Sequence, residues 1–283
     1  LNLSRPKVSR LLKAARENNL IEIKINYPKT IRSTLEKTFE QEFGLKEAII
    51  IKNNTEDTQR SFALVTNAAA RYLLRAVKAG DTLGVAWGRT LSGVVDALGL
   101  NPKKEVKVVQ LIGSLGQSAE SANEIVRKVS VSFGGAQVLL PAPAIVDTAE
   151  IKEVMLKDNT ICDALRTARS VDTALVGIGN VGINSSFFHT DFIKEKDLDI
   201  LKKCNAVGDI CAHFFDIEGN LCNYLDDRVM AVEFGNLKKI PQVIGVALGK
   251  EKAAAILGAL KTQILDVLIT DEHTATLISD NIN

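Results

Sequence analysis

Gly84-Val85-Ala86-Trp87-Gly88-Arg89-Thr90-Leu91, the stretch GVAWGRTL, decides the fold class. Apolar residues run from Leu83 to Trp87, and Gly88 then breaks the run. Beyond it Leu91, Val94, Val95 and Leu98 recur at helical spacing, and Thr90 is placed to cap the helix they predict. Strand, tight glycine turn and helix start, in that order, form the repeating unit of a parallel sheet. The same unit is an anion site, because first-turn N–H groups point outward and the helix dipole puts partial positive charge there. Arg89 adds a cation able to grip phosphate through two N–H bonds. On this stretch alone, an ordinary β–α turn remains open.

Outward from it, the alternation continues. A long helix is predicted from about Thr58 to Lys78. The strand Val106 to Ile112 ends in Gly113-Ser114-Leu115-Gly116, and helix follows from about Glu120 to Val131. Strand Gln137 to Leu140 is halted by Pro141 and Pro143, and two helical turns or helices fall between Asp147 and Arg169. Val171 to Ile178 is a further strand. Later strands, Val243 to Ala247 and Asp266 to Ile269, precede helical patterns at Ala253 to Leu260 and Glu272 to Ile278. This alternation predicts an α/β fold, a mainly parallel sheet flanked by helices. Ligands of such sheets bind beyond the carboxyl ends of the strands.

With 283 residues, 46% hydrophobic and 24% charged, the chain has the composition of a globular protein. Its net charge of +1 is unevenly spread: residues 1–24 carry a net +4, leaving −3 for the rest. A small basic segment therefore joins a larger, nearly neutral body. Cys162, Cys204, Cys211 and Cys222 form no CxxC pair and sit beside apolar or small residues, which predicts buried, reduced thiols and a cytoplasmic location. His189, His213 and His273 lack ligand spacing, so no metal is expected. No apolar run reaches membrane-spanning length, and Leu1 opens on nothing like a signal peptide, so no membrane partner is expected.

Gly177-Ile178-Gly179-Asn180-Val181-Gly182 matches GxGxxG after a strand. The residues from Ile183 to Phe188 do not read as the helix a dinucleotide needs. No second strand ends in an acidic residue about 20 positions on, since Asp197 and Asp199 fall in a charged helical segment. No cofactor is expected. The glycines, Gly179 among them, instead let backbone approach a ligand.

The basic segment starts as a helix, with Ser4 as N-cap and Pro6 in the first turn. Val8, Leu11, Leu12 and Ala15 share one face, and Arg5, Lys7, Arg10 and Lys13 fall largely on the other. After Asn18-Asn19, Leu20 to Ile25 alternates as a strand. Helix then strand is the second half of a winged helix-turn-helix, although a solvated amphipathic helix packed on the body has the same pattern. The segment LNLSRPKVSRLLKAARENNLIEIKI resembles the recognition helix and wing of the SorC family of sugar-responsive bacterial regulators. That resemblance implies double-stranded operator DNA as partner, with Ser4, Arg5, Lys7, Ser9 and Arg10 facing it. It also implies two further helices upstream of Leu1 in the complete unit. Ile31, Leu35, Phe39 and Phe43 then mark a connector helix. The expected modules are residues 1–27, a partial DNA-binding unit; 28–47, the connector; and 48–283, an effector-binding and oligomerisation domain.

The body carries eight phrases in the order of the SorC effector domain: Trp87-Gly88-Arg89-Thr90, Gln110-Leu111-Ile112-Gly113, Leu140-Pro141-Ala142-Pro143, Leu175-Val176-Gly177-Ile178-Gly179, Ala206-Val207-Gly208-Asp209-Ile210, Phe214-Phe215-Asp216, Gly249-Lys250-Glu251-Lys252-Ala253 and Leu268-Ile269-Thr270-Asp271-Glu272. The resemblance implies a domain similar in fold to sugar-phosphate isomerases and glucosamine-phosphate deaminases, binding a sugar or sugar phosphate. It also implies a homo-tetramer or dimer that binds DNA. By the same resemblance Gly88, Arg89 and Thr90 grip the phosphate or sugar end, with Gly113 and Ser114 completing a nest of amides. Asp209 would accept sugar hydroxyls, Lys252 would reach an anionic or carbonyl end, and Asn123 would meet a hydroxyl. Trp87 reads as a ring face for the ligand or as core, Asp209 also as a turn cap, and Lys252 also as a solvated helix-start lysine. Leu248-Gly249-Lys250 departs from the pair of glycines many members have, which reduces backbone room there. The other reading is an enzyme acting on a sugar phosphate, isomerase or deaminase in type. Asp209 and the Asp271-Glu272 pair are its available carboxylates, but no histidine pairs with them in an obvious motif, and no catalytic residue is assigned. The helix and wing have no use in such an enzyme.

Overall fold

Along the chain, α1 (Thr34–Phe43) leads into β1 (Glu47–Ile51), then α2 (Thr58–Ala76), β2 (Thr82–Val85), α3 (Arg89–Asp96), β3 (Lys107–Gln110), α4 (Ala122–Phe133) and β4 (Gln137–Val138). Two short helices, α5 (Ala149–Met155) and α6 (Asn159–Ala168), precede β5 (Thr173–Gly177). A separate group follows: β6 (Gly179–Asn180), α7 (Glu195–Lys203), β7 (Ala206–Ile210), β8 (His213–Asp216) and β9 (Leu221–Cys222). After α8 (Phe234–Leu237) come β10 (Gln242–Val246), α9 (Ala253–Lys261), β11 (Val267–Asp271) and α10 (Glu272–Asp280). This computed structural model describes residues 7–8, 34–52, 57–99, 104–114, 122–182 and 193–280. The chain divides into two units, Leu1–Arg32 and Ser33–Asn283, and every element named above belongs to the second.

Seven strands form one parallel sheet in the order β1-β11-β10-β5-β2-β3-β4. Every residue of β11, and all but the last of β5, is buried, as continuous apolar strands covered on both faces should be. From β2 the chain steps outward to β3 and β4, then returns to β5 on the other flank of β2. The strand order therefore reverses between β2 and β5, which opens a crevice at their carboxyl ends.

Local chemistry accounts for the helices. Asp57 caps α2 by accepting the N–H groups of Gln59 and Arg60, and Ser61, Val65, Ala69 and Leu73 make its buried stripe. The Lys104 ammonium closes its other end by donating to the carbonyls of Leu74 and Val77. Helix α3 departs from expectation. Gly88 is its N-cap, at φ 125°, and Thr90 lies inside the first turn. The chain can leave β2 and enter the helix this abruptly only through a conformation that glycine adopts, so the helix starts before a threonine cap could act.

A second sheet, antiparallel and ordered β6-β7-β8-β9, was not expected from the sequence, and α9 lies against its β7 and β8 strands. The turn between β7 and β8 is Cys211-Ala212, with φ of 53° and 63°. Two left-handed residues give the tight turn that matches strand twist, but without glycine each costs roughly 1–2 kcal/mol. The thiols also divide differently from expectation. All four are free, and Cys211 and Cys222 are buried, but Cys162 is half-buried and Cys204 is exposed, because it ends α7 at the surface.

Among the described residues, the outer strand β1 pairs only with β11. Its other edge is covered by α1: Glu40 accepts the N–H of Ala48 at 3.0 Å, and Glu36 that of Ile50 at 3.0 Å. Phe39, fully buried, anchors the helix and meets Phe43 edge to face at 5.5 Å. Helix α1, within the stretch expected to be a connector, is thus part of the sheet's packing. No helix among the described residues is long and apolar enough to cross a membrane.

Candidate functional site

Four neighbouring strands, β10, β5, β2 and β3, end side by side, and their exits carry most of the residues singled out in the sequence. After β2 come half-buried Trp87, Gly88, exposed Arg89 and half-buried Thr90. The Arg89 guanidinium sits 5.9 Å from the centre of the Phe62 ring on α2. After β3 come Gly113 and Ser114. Their amides are already committed, Gly113 N–H to the Met230 carbonyl at 2.8 Å and Ser114 N–H to the Ala142 carbonyl at 2.9 Å. The expected nest of free amides is therefore absent here, because Met230 and Ala142, from two different segments, hydrogen-bond across this strand end. The Ser114 hydroxyl instead donates to the side chain of exposed Asn123 at 2.9 Å, so these two residues act as one polar pair.

After β5 the chain turns at Ile178 into β6, where Gly179 pairs with Asp209 of β7. Asp209 is 5% exposed. One carboxylate oxygen accepts the Ala212 N–H at 3.1 Å, which realises the turn-capping role, and the other lies where a Cβ on Gly179 would be, 2.0 Å away. Burial pushes the Asp209 carboxyl up to about 6, against the opposing pull of the Ala212 amide, Lys252 and His213.

After β10, Gly249 opens the short 3-10 turn Lys250–Lys252. The Lys252 ammonium does not extend into solvent; it donates to the Ile178 carbonyl at 2.7 Å. Burial holds its amine below the ordinary lysine range; Asp209 opposes this, Arg89 adds to it and Glu251 opposes it. Arg89, Lys252 and Asp209 thus share one electrostatic neighbourhood at the point where strand order reverses. Two cations beside one buried carboxylate suit a small ligand with an anionic end and hydroxyl groups, the anion on the cations and a hydroxyl donated to Asp209.

Residues missed from the sequence support this arrangement. Gln110, 1% exposed, donates to the Ile112 carbonyl at 2.7 Å and accepts the Leu140 N–H at 3.1 Å, fixing the exits of β3 and β4. A polar residue closing an apolar strand was the available signal. His213, 6% exposed, sets Nε2 3.0 Å from the Val232 carbonyl and Nδ1 3.2 Å from Asp226, tying β8 to the segment beyond β9. Asp197, fully buried, accepts from Arg228 at 2.7 Å, Tyr224 at 3.0 Å and the Lys194 amide at 2.9 Å. The Lys194 contact has the three-residue spacing of a capping box, but no signal in the sequence pairs Asp197 with Tyr224 and Arg228, 27 and 31 residues away. Asp271 is committed to its neighbours: its oxygens accept from Gly249, from the Thr274 amide and from the Thr274 hydroxyl. Among the described residues no cluster could hold a metal ion. Of the residues expected to face DNA, Lys7 is described, as helical and exposed; Ser4, Arg5, Ser9 and Arg10 lie outside the described residues, as do most of residues 1–27, where a DNA-binding unit is expected.

Comparison with known proteins adds to this geometry. A family profile described as "Putative sugar-binding domain" matches residues 28–278. The chain is 34% identical to the deoxyribonucleoside regulator of Bacillus subtilis (strain 168), over 99% of this chain and 90% of that protein. It is 29% identical to the sorbitol operon regulator of Klebsiella pneumoniae, over 98% of this chain and 90% of that protein. The crystal structure of that full-length regulator superposes with a TM-score of 0.86, at 29% identity, covering 98% of this chain and 90% of the other.

Proposed function

The chain belongs to the SorC family of transcriptional regulators with a sugar-binding domain, and from that premise we propose that it is a ligand-gated regulator whose effector is a sugar or phosphorylated sugar. The observation that carries this reading is the gathering of Arg89, Lys252 and buried Asp209 at the ends of neighbouring strands. Arg89 and Lys252 take the effector's anionic end, Asp209 takes a hydroxyl, and the Ser114–Asn123 pair takes another. Effector binding shifts the arrangement of domains or subunits in a homo-tetramer or dimer and so changes affinity for operator DNA. A coupling of typically 1–3 kcal/mol corresponds to a change of about 5- to 150-fold.

Sensing rather than turnover is favoured by a specific observation. An isomerase needs a general base free to take a proton from carbon. Both oxygens of Asp271 are engaged inside the protein, and one of the two Asp209 oxygens holds a turn amide, which leaves the other to accept a hydroxyl. A thermal-shift screen of monosaccharides and their phosphates tests the reading, because a ligand at a hundred times its Kd adds about 2.7 kcal/mol of stability. The true effector raises the melting temperature and is recovered unchanged. Rapid, saturable conversion of that compound overturns the regulator in favour of the enzyme. In a chain carrying the whole DNA-binding module, Lys7→Ala with Arg10→Ala abolishes operator binding and leaves the effector shift intact.

A further inference from the structure

Behind the ligand-facing residues lies a clamp that fixes one of them. Asp271 ends β11 and is 5% exposed, and Thr274, three residues on in α10, is fully buried. The N–H of Gly249 is shared between them, 3.1 Å from Asp271 Oδ2 and 3.0 Å from Thr274 Oγ1. The Thr274 hydroxyl donates to the same Oδ2 at 2.5 Å, and its amide donates to Oδ1 at 2.9 Å. Gly249 sits at φ 106°, a conformation closed to other residues, and a Cβ there would lie 2.5 Å from Glu251. Its carbonyl accepts the Lys252 N–H at 2.9 Å, so the clamped glycine is the foot of the turn that presents Lys252. From that turn the ammonium reaches back to the Ile178 carbonyl.

We propose that Asp271 and Thr274 are positioning residues for effector binding, holding the Gly249 turn so that the Lys252 ammonium stays in the site beside Asp209. The inference rests on the effector-site reading of the strand ends. A lysine is a strongly hydrated charge on a flexible four-carbon stem, and in water it extends outward. It remains half-buried against a carbonyl only where its backbone anchor is set by groups that cannot move, and a binding group held loosely by its supporting residues loses its geometry. Asp271 and Thr274 meet that condition, being buried and bonded to each other at two points.

The test compares Thr274→Val, Thr274→Ser and Asp271→Asn with the unaltered chain. The pH dependence of Lys252 acetylation by acetic anhydride, read on its peptide by mass spectrometry, reports the setting of the amine without any effector. The midpoint rises toward the ordinary lysine value in Thr274→Val and Asp271→Asn and stays in place in Thr274→Ser, which keeps the hydroxyl. Affinity for inorganic phosphate, followed by Trp87 fluorescence, falls about tenfold in Thr274→Val, the worth of one hydrogen bond to a charged group. An unchanged midpoint in folded Thr274→Val, or an equal shift in Thr274→Ser, overturns the proposal. If the unaltered chain binds neither phosphate nor any sugar or sugar phosphate, the effector reading fails, and the acetylation midpoints still decide whether the clamp sets Lys252.

Discussion

Gly179 and Asp209 face each other across two antiparallel strands, and the Asp209 carboxylate fills the place that a side chain at position 179 would need. The glycine of the apparent dinucleotide fingerprint therefore makes room for a carboxylate of the protein itself. Gly179→Ala sets a Cβ 2.0 Å from Asp209 Oδ1 and forces the carboxylate out of its place. Overpacking of this kind costs about 1–3 kcal/mol. The expected outcome is a lower melting temperature together with loss of the effector-induced shift, both read in one thermal-denaturation series.

Asp209 gives stability a definite pH dependence. Its carboxyl lies at about 6 in the folded chain against an ordinary 3.8. The folded state therefore holds a proton that the unfolded state has released between those values, and stability falls as pH rises from about 4 to about 6. The cost of keeping Asp209 ionised above that range is about 3 kcal/mol. Asp209→Asn, whose amide oxygen still accepts the Ala212 N–H, removes that cost. Denaturation at pH 7.5 should show it more stable than the parent, with the slope between pH 4 and 6 reduced. Binding of a hydroxyl-bearing effector strengthens through pH 6 in the parent as the carboxylate ionises, and isothermal titration should find that dependence gone in Asp209→Asn.

On the proposed reading of the site, Arg89 distinguishes ligands by their charge. Its guanidinium is exposed at the first turn of α3, where it adds to the partial positive charge of the helix start. Arg89→Ala should weaken a phosphorylated effector about 10- to 100-fold, the worth of hydrogen bonds to a charged group, and leave the parent sugar nearly unaffected. Titration of both forms into the variant measures this. Equal losses for the two would remove Arg89 from the phosphate role.

The Asp197–Arg228 pair is buried, and breaking it is costly. Burial alone would raise the Asp197 carboxyl, but the Lys194 amide, the Tyr224 hydroxyl and Arg228 together hold it below the ordinary range. The stability it contributes is present above the ordinary value of 3.8 and is lost as pH falls through the lower folded value. Arg228→Ala leaves a buried carboxylate without its counter-charge, at a cost of about 3–5 kcal/mol. Urea denaturation at pH 7 reads that loss directly. The segment 228–232 that hydrogen-bonds to the exits of β3 and β4 should loosen with it, seen as faster amide exchange at Met230 and Val232.

Much of this molecule was legible in the chain, for identifiable reasons. The runs around Val108, Leu175, Ile244 and Leu268 are apolar because both sheet faces are covered, and such runs announce parallel strands. The residues after Val85, Gly177 and Val246 gather because strand exits in a parallel sheet point one way. The antiparallel sheet stayed hidden, since β6 and β9 have two residues each and show no alternation. Hydrogen bonding at a distance was hidden as well. Nothing near Gly113 or Ser114 shows that Met230 and Ala142 consume their amides, and nothing near Asp271 shows that Gly249, 22 residues away, needs its carboxylate.

Glu36 and Glu40 bear on where the chain can be cut. By accepting the amides of Ile50 and Ala48 they stand in for a missing strand beside a run of three isoleucines. A fragment that begins after Phe43 would bare that run as an unpaired edge, the template on which sheets of separate molecules join. Such a fragment should polymerise edge to edge, whereas one that begins at residue 33 should stay dispersed, so the smallest usable piece that holds the parallel sheet includes α1.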